Sequence, residues 1–386
     1  MLGYLSIEIR RKVIEPIRIN KVGELEMDKV KRFIDCIYTA TKCNLRCSYC
    51  YITQEKKWQE KLPQLKYSPE VIGEALSQER LGGICHFNIC GLGETLIPPE
   101  MTGIIYHILK QGHYVMVITN GTISRRFDEI IKFPKEYLDR LTFKFSFHYE
   151  ELSRLQLMDE FFHNVHKVSD AGASFSVEIT PHDGLIDKIP EIKAACMKNV
   201  GALCHVTVAR DASKYNIPIL TNLTREEYRK TWGTFDSEMF RFKMSTFGVK
   251  RKEFCYAGDW TCFLNLVTGV LRPCYYMYGG QNIFEDIEKP IRFEAIGECH
   301  LSHCYNSHAF LTIGAIPELD TPHYQEMRDR VDQQGNHWLK PQIREFFNTK
   351  LVDSNEEYDD RRKRKLRLKN RIKNLPIKLY LLITRQ

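Results

Sequence analysis

The sequence predicts an α/β protein: a partial (β/α)6 barrel of the TIM type, then a small cysteine-rich α+β domain and a basic helical tail. Two observations carry the barrel prediction. Six runs rich in Val, Ile and Phe recur between residues 34 and 210, and segments with helical spacing separate them. Such alternation favours parallel strands joined by crossover helices, so chemistry is expected at the carboxyl ends of the strands.

The six predicted strands are Ile34–Thr39, Ile84–Cys90, His113–Thr119, Leu141–His148, Ser174–Thr180 and Leu203–Ala209. Ser68 and Pro69 predict the start of one helix, because a cap residue precedes a proline in the first turn. Further helices are predicted over Pro98–Lys110, Ser124–Ile131, Met158–Ala171 and Ile186–Lys198.

The chain is expected to divide into five parts. They are an N-terminal segment (1–33), the barrel (34–215), a linker helix (216–250), the cysteine-rich domain (251–320) and a helical extension (321–386). Thr224 and Glu227 are a capping-box candidate within the linker. Only 33 residues precede the first strand, so we expect no appended peptide-recognition domain of ordinary size.

Composition predicts a globular protein of the reducing cytoplasm. Of 386 residues, 43% are hydrophobic and 27% are charged, which suits a large core. No apolar run approaches the roughly 18–20 residues that span a bilayer. The first ten residues lack the pattern of a signal peptide, so the 13 cysteines are interpreted as metal ligands or buried thiols rather than disulfides.

Three cysteines follow the first predicted strand within eight residues: Cys43, Cys47 and Cys50. Thiolates this close can converge on one metal centre. A closed structural site uses four ligands, so three leave a coordination position open for chemistry. The alternatives are a partial zinc site or chance clustering.

This spacing, with Tyr49 directly before the last cysteine, resembles the signature of the radical S-adenosylmethionine (radical SAM) superfamily. The resemblance implies a [4Fe-4S] cluster on the three cysteines, with its fourth iron left for SAM. It also implies that Tyr49 lies against adenine, although the ring could equally pack in the core.

The second predicted strand ends in a stretch that resembles the glycine-glutamate motif of the same superfamily, which binds the methionine amino group of SAM. Gly91 and Gly93 let the backbone approach a ligand closely, and Glu94 supplies a carboxylate. Thr95 stands where the family usually has proline. Asn120, in Thr119-Asn-Gly-Thr122, matches another family stretch, although Asn-Gly is also a common turn.

Further pocket candidates lie at the ends of the later strands. Ser146 corresponds by position to a polar residue that often contacts the ribose of SAM, although a solvent-facing strand serine explains it equally well. The remaining pocket candidates are Glu178, Thr180, His205 and Arg210. Of these, Arg210 is predicted to bind the cofactor.

A second cysteine set resembles the SPASM/Twitch extension of radical SAM enzymes, in which cysteines hold auxiliary [4Fe-4S] clusters. Cys255 and Cys274 flank Gly269 at the family spacing, and Cys299 and Cys304 follow. Two later cysteines fit the abbreviated Twitch type, so we expect one auxiliary cluster on these four residues. Cys262 is a rival for one ligand position. A histidine could also replace a cysteine ligand, and the candidates are His300, His303 and His308. A zinc site on the same four cysteines is the alternative.

Six cysteines are left over, and most fall among apolar residues, where a free cysteine behaves as a small hydrophobe. They are Cys36, Cys85, Cys90, Cys196, Cys204 and Cys262. One near the pocket could donate a hydrogen atom to a substrate radical, as in epimerising family members. Cys90 and Cys262 are the candidates for this catalytic role.

The tail from Arg361 contains eleven Lys and Arg and no Asp or Glu, so residues 1–360 carry a net charge of −4. Apolar side chains recur at helical spacing, at Leu368, Ile372, Leu375, Leu379 and Leu382, with Pro376 as a bend. The pattern favours a basic amphipathic helix on an anionic membrane surface. The alternatives are RNA binding through phosphates and a solvated helix packed on the body.

Taken with the resemblance, these features imply a radical SAM enzyme of the oxidoreductase or transferase type. An external donor of the flavodoxin or ferredoxin type would reduce the cluster. Cleavage of SAM would give a 5′-deoxyadenosyl radical that abstracts hydrogen from a substrate C–H bond. The favoured substrate is a sugar or lipid-linked glycan, oxidised or epimerised at the inner face of the membrane. The alternatives are maturation of a ribosomal peptide and a non-catalytic metal-binding protein associated with nucleic acid.

Overall fold

A single sheet organises the described part of the chain. The computed structural model describes residues 27–373 except residues 215, 276 and 278. Its strands are β1 (Arg32–Tyr38), β2 (Cys85–Gly91), β3 (Tyr114–Thr119), β4 (Leu141–Ser146), β5 (Ser174–Ile179), β6 (His205–Val206), β7 (Thr261–Asn265), β8 (Val270–Arg272) and β9 (Gln281–Asn282). They lie in the order β6-β5-β4-β3-β2-β1-β7-β8-β9, so the sheet does not close. All pairs from β6 to β7 are parallel, and β8 and β9 add antiparallel pairs.

Helices connect the parallel strands and cover their outer face. The α-helices are α1 (Tyr51–Gln54), α2 (Pro69–Ala75), α3 (Gln78–Leu81), α4 (Met101–Lys110), α5 (Ser124–Ile130), α6 (Lys135–Leu138), α7 (Tyr149–Arg154), α8 (Met158–Asp170), α9 (Ile189–Val200), α10 (Arg225–Gly233), α11 (Glu238–Thr246), α12 (Ser307–Phe310), α13 (Pro341–Phe347) and α14 (Asp360–Lys373).

The predicted six-unit βα barrel is confirmed as a partial, open barrel. The Ser68 side chain caps α2 and Pro69 opens it, and Thr224 and Glu227 form the expected capping box of α10. The last predicted helix begins later than expected, because a 3₁₀ turn covers Asp183–Lys188 before α9. The predicted sixth strand shortens to two residues, since β6 is an edge strand that pairs only with β5.

The structure adds detail to two of the expected segments. The linker region contains two packed helices, α10 and α11, and α11 buries most of its side chains. The segment 251–320 adds strands to the barrel sheet, with β7 paired in parallel with β1. Residues 1–26 and 374–386 lie outside the described residues, and with them most of the predicted N-terminal segment and the second half of the tail.

The C-terminal extension fills the barrel interior at the end opposite the strand carboxyl termini. Phe33 and Tyr114, which face inward, share a core cluster with Phe346 and Phe347 from α13. The rings of Tyr114 and Phe346 stack 3.6 Å apart. The interior is therefore a packed core at this end, and polar chemistry is confined to the other.

The sequence predicts no segment that spans a membrane, and the described helices can be compared with this prediction. Among the described residues, the structure contains no helix with the length and apolar character needed to cross a membrane.

Replacing Phe346 by alanine should lower the free energy of unfolding by about 3–5 kcal/mol, because a fully buried aromatic ring is removed from the barrel core. Phe346 is 2% exposed. Chemical unfolding followed by tryptophan fluorescence measures the change. Val352→Ala is the matched control, since Val352 is 43% exposed and should change stability by no more than about 0.5 kcal/mol. Equal effects would contradict a core role for α13.

Candidate active site

The first cysteine set lies on the loop between β1 and α1, at the carboxyl edge of the sheet. The Cys43 sulfur accepts a hydrogen bond from the Leu45 backbone N–H at 3.4 Å, and the Cys50 N–H donates to the Cys47 carbonyl at 3.2 Å. Burial, and then the Glu94 carboxylate, raise the pKa of Cys43 to about 12. Cys50 also raises the pKa of Cys43, and Cys50 and Cys43 raise the pKa of Cys47, so the fold brings the three thiols close together.

Gly93 lets the loop after β2 touch the cysteine loop. Its backbone N–H donates to the Ala40 carbonyl at 2.7 Å, and the Glu94 N–H donates to the Lys42 carbonyl at 2.9 Å. A side chain at Gly93 would put its Cβ 2.0 Å from the Lys42 oxygen. Glycine is therefore required here by close backbone approach.

The motif around Gly93 is closed by an internal hydrogen bond. The Gly91 N–H donates to the Thr95 hydroxyl at 2.8 Å. Thr95, the departure from the family pattern, thus contributes to the turn with its own side chain.

The Glu94 carboxylate is buried and accepts three hydrogen bonds. The donors are the Thr119 hydroxyl at 2.7 Å, the Asn120 backbone N–H at 2.7 Å and the Leu96 N–H at 3.0 Å. Because every donor belongs to the chain itself, Glu94 anchors the loops after β2 and β3. Its contact with SAM stays a prediction.

Asn120 connects these loops to the first cysteine set. Its side-chain amide donates to the side-chain oxygen Oδ1 of Asn44 at 2.8 Å and lies 3.8 Å from the Cys43 sulfur. Glu94 fixes the Asn120 backbone, so loops after three successive strands position Cys43 together.

Tyr49 lies between two histidines that the sequence analysis did not select. Its hydroxyl lies 2.5 Å from His148 Nδ1, and its ring centroid is 4.5 Å from that of His182. His182 also pairs with Glu150 at 3.2 Å. The ring is half-buried at the strand ends, and its contact with adenine stays a prediction.

A buried charge network lies beneath Ser146. Lys144 Nζ donates to the Ser146 hydroxyl at 2.9 Å and lies 3.3 Å from Glu178 Oε1. Arg328, from the C-terminal extension, pairs with Glu178 Oε2 at 2.8 Å. These cations hold the pKa of Glu178 well below its usual range against the opposing effect of burial. Glu178 therefore serves the interior network.

The mouth of the barrel is lined by half-buried residues from successive strand ends, including Cys90, Ser146 and Thr180. Burial raises the pKa of the Cys90 thiol to about 12. Arg210 is exposed beside this mouth, and its Nη1 donates to the Tyr305 carbonyl at 3.3 Å. Cys90 and Arg210 thus lie where the sequence predicts a pocket.

Two predicted site residues are placed away from the mouth. Cys262 is 1% exposed, pairs with Ile34 in the sheet and packs in the outer core. Its selection as hydrogen donor or rival ligand is therefore corrected. His205 is buried beneath the mouth against Trp338, so it is not a pocket residue. The other spare cysteines, apart from Cys90, are buried as expected.

The second cysteine set lines one cavity. Cys255, Cys274, Cys299 and Cys304 all face it, with walls that include Ile296 and Leu311. The pKa of Cys274 is raised well above its usual value by burial, and then by Cys304, Cys255 and Cys299. Four sulfur donors around an apolar cavity fit an iron–sulfur cluster.

The histidines near this set do not line the same cavity. His303 is buried against Phe247, with ring centroids 4.3 Å apart. His308 Nδ1 lies 3.5 Å from Lys243 Nζ. Four cysteines already face the cavity, so histidine substitution is not required. As the chain stands within its described ranges, no group of three or more His, Cys, Asp or Glu is arranged to hold a single metal ion.

Asp35, in the middle of β1, joins the second cysteine set to the barrel interior. Its carboxylate accepts hydrogen bonds from Asn88 at 2.6 Å and Asn306 at 2.9 Å, and the Tyr275 hydroxyl lies near it. Tyr275 directly follows Cys274, and Asn306 is two residues after Cys304. Burial raises the pKa of Asp35 to about 6.

Sequence reasoning missed Asp35, Lys243, His148 and His182. A lone acid inside the apolar run Ile34–Tyr38 was a signal for Asp35, since buried carboxylates need partners. Nothing comparable marked Lys243, because its helix was interpreted as a linker.

These observations define an open parallel α/β barrel with three closely spaced cysteines at the carboxyl edge of its sheet. Residues 37–196 match the family model described as the Radical SAM superfamily. Residues 37–196 are therefore a radical SAM domain.

Solved structures with a similar arrangement include SuiB from Streptococcus suis bound to S-adenosylmethionine, at 14% identity and a TM-score of 0.46 over 66% of this chain and 64% of SuiB. The chain thus spans less than two thirds of SuiB. Native anSMEcpe with bound AdoMet aligns at 14% identity and a TM-score of 0.44 over 66% of this chain and 79% of its own. No curated protein matches the chain significantly.

Replacing Gly93 by alanine should lower the amount of iron that the Cys43 loop is predicted to bind, because the new Cβ must displace the Lys42 carbonyl. The expected loss is at least about half of the iron lost by Cys43→Ala. Iron analysis of anaerobically reconstituted protein provides the measurement. Gly233→Ala is the control, since a Cβ there meets no atom within 4 Å. Full iron in Gly93→Ala would disprove the dependence of the cysteine loop on this contact.

Proposed function

We propose that the chain is a radical SAM enzyme that cleaves S-adenosylmethionine reductively and acts on a C–H bond of a sugar or lipid-linked glycan. The observation that carries the proposal is the convergence of loops after β1, β2 and β3 on Cys43. A [4Fe-4S] cluster on Cys43, Cys47 and Cys50, when bound, supplies the electron that cleaves SAM.

The chain's own residues hold the reactants in place. The Gly93 turn presents backbone groups beside the cysteine loop, and Glu94 and Asn120 fix its position. Tyr49 offers an aromatic face, and Ser146 offers a hydroxyl that Lys144 already orients. These contacts support SAM binding at the mouth, where packed side chains below exclude water.

The cavity of Cys255, Cys274, Cys299 and Cys304 supports a second [4Fe-4S] cluster of the Twitch type. Through Asp35, this cavity is tied to the interior of β1. We propose that it binds substrate or accepts the substrate electron, which favours oxidation. Cys90 faces the mouth, so it is the candidate hydrogen donor if the reaction is an epimerisation.

Anaerobic reconstitution with SAM and dithionite should yield 5′-deoxyadenosine, and Cys43→Ala should abolish it, because three thiolates are needed for the cluster. Cys255→Ala should keep this basal cleavage and lose only the iron of the second site. No 5′-deoxyadenosine above the Cys43→Ala background would rule out the radical SAM proposal. Zinc in place of iron at the second site would rule out an auxiliary cluster.

The tail helix α14 supports membrane association in its described half. Leu366 is buried, and the Asn370 amide donates to the Ile296 carbonyl at 2.7 Å, so one face packs beside the second cysteine set. The opposite face exposes Leu368 (61%) and Ile372 (64%). Exposed basic residues flank them without an ion pair among the described residues: Arg361, Arg364 and Lys365.

A Leu368→Ser/Ile372→Ser variant should bind anionic phosphatidylglycerol vesicles about tenfold more weakly, because two apolar side chains no longer enter the interface. Co-sedimentation measures the bound fraction. Val352→Ser, an exposed apolar position outside α14, is the control. Equal binding by all three proteins would contradict membrane docking by this face, and RNA binding in its place would favour the phosphate alternative.

A further inference from the structure

The segment after β6 and the segment around Cys304 meet at two cations. Lys243 Nζ, from α11, donates to the Thr207 hydroxyl at 2.8 Å and lies 3.5 Å from His308 Nδ1. Arg210 Nη1 donates to the Tyr305 carbonyl at 3.3 Å. The two cations therefore link the edge of the barrel to the segment that follows Cys304. The groups that they contact are uncharged.

No carboxylate balances these two charges. In the part of the chain that the structure describes, no ion pair joins Lys243 or Arg210 to an acid. The nearby Glu178 is already shared by Lys144 and Arg328. Lys243 is 5% exposed, and burial, followed by the Arg210 charge, lowers its pKa to about 7. Burying an unbalanced cation is costly unless an anion joins it.

Unused donors accompany the charges. An ammonium group has three N–H donors and a guanidinium has five, and the contacts above use only a few. His303, on the same segment, is 3% exposed, and its Nε2 has no hydrogen-bond partner among the described residues. The site therefore offers two basic groups and several unused donors beside the barrel mouth.

We propose that Lys243 and Arg210 bind a phosphate or diphosphate group of the substrate, with His303 as a further donor. This assignment rests on the proposed function, which supplies the substrate, and it adds the class of anionic group that the substrate carries. Two unbalanced cations match a dianion better than a single carboxylate, which one of them would satisfy. The group bound between the two segments directs the rest of the substrate toward the mouth at Cys90.

The test uses the full chain with its clusters reconstituted, and pyrophosphate as the probe. Calorimetric titration should show binding that Lys243→Met and Arg210→Met each weaken by about tenfold or more, since a charged hydrogen bond is lost. The exposed residues Lys230 and Arg229 on α10 provide matched controls, Lys230→Met and Arg229→Met, which should bind as the parent does. Lys243→Arg should retain most of the affinity, which separates loss of charge from misfolding.

Four results would overturn the inference. They are equal pyrophosphate affinity in all variants, tighter binding of acetate or citrate than of pyrophosphate, competition between pyrophosphate and SAM, and loss of cluster iron in Lys243→Met with pyrophosphate binding unchanged. The third would assign the cations to the SAM carboxylate and the fourth to the charge of the cluster.

The outcome is independent of SAM cleavage. Charge-dependent pyrophosphate binding without any 5′-deoxyadenosine would support the anion site and reject the proposed function. Formation of 5′-deoxyadenosine without charge-dependent pyrophosphate binding would support the proposed function and reject the anion site. Farnesyl diphosphate and uridine diphosphate separate the two sources of the group: tighter binding of the first supports a lipid-linked substrate, and of the second a nucleotide-linked one.

Discussion

The buried Asp35 carboxylate is the interaction on which the placement of the second cysteine set against the barrel depends. A carboxylate in the middle of a sheet is costly unless hydrogen bonds satisfy it. Its donors are Asn88 on β2 and Asn306 beside Cys304, and the hydroxyl of Tyr275, beside Cys274, lies near it. Satisfying one buried group thus fixes the second cysteine set against the barrel.

The barrel interior separates stability from chemistry. At one end, aromatic side chains of the C-terminal extension fill the space between the strands, as Phe346 does on Tyr114. Near the other end, charges such as Glu178 are paired inside the network. Lys243 and Arg210, which form no ion pair among the described residues, lie where the barrel meets the second cysteine set. This distribution explains why substrate recognition is assigned to that boundary.

Local spacing made the first cysteine set predictable, because three thiols within eight residues need no distant contact to meet. The glycine-glutamate turn was predictable in position and less so in role. Gly93 is needed for the close approach to the Lys42 carbonyl. The Glu94 carboxylate accepts hydrogen bonds from the loops after β2 and β3. Cys262 shows the limit of spacing: it fits a ligand pattern, yet its side chain points into the outer core, since alternation along β7 decides its direction.

The sequence by itself determined the parallel βα order, the cysteine loop at the carboxyl edge and the basic tail, because strand periodicity, ligand spacing and charge are local properties. Only the tertiary structure decided that β7 joins β1, that the C-terminal extension fills the barrel and that Lys243 faces Thr207 and His308. These depend on which buried surfaces and polar groups satisfy one another across hundreds of residues. No local pattern encodes that choice, since hydrophobic burial is non-directional and partners for buried charges are found only in the assembled fold.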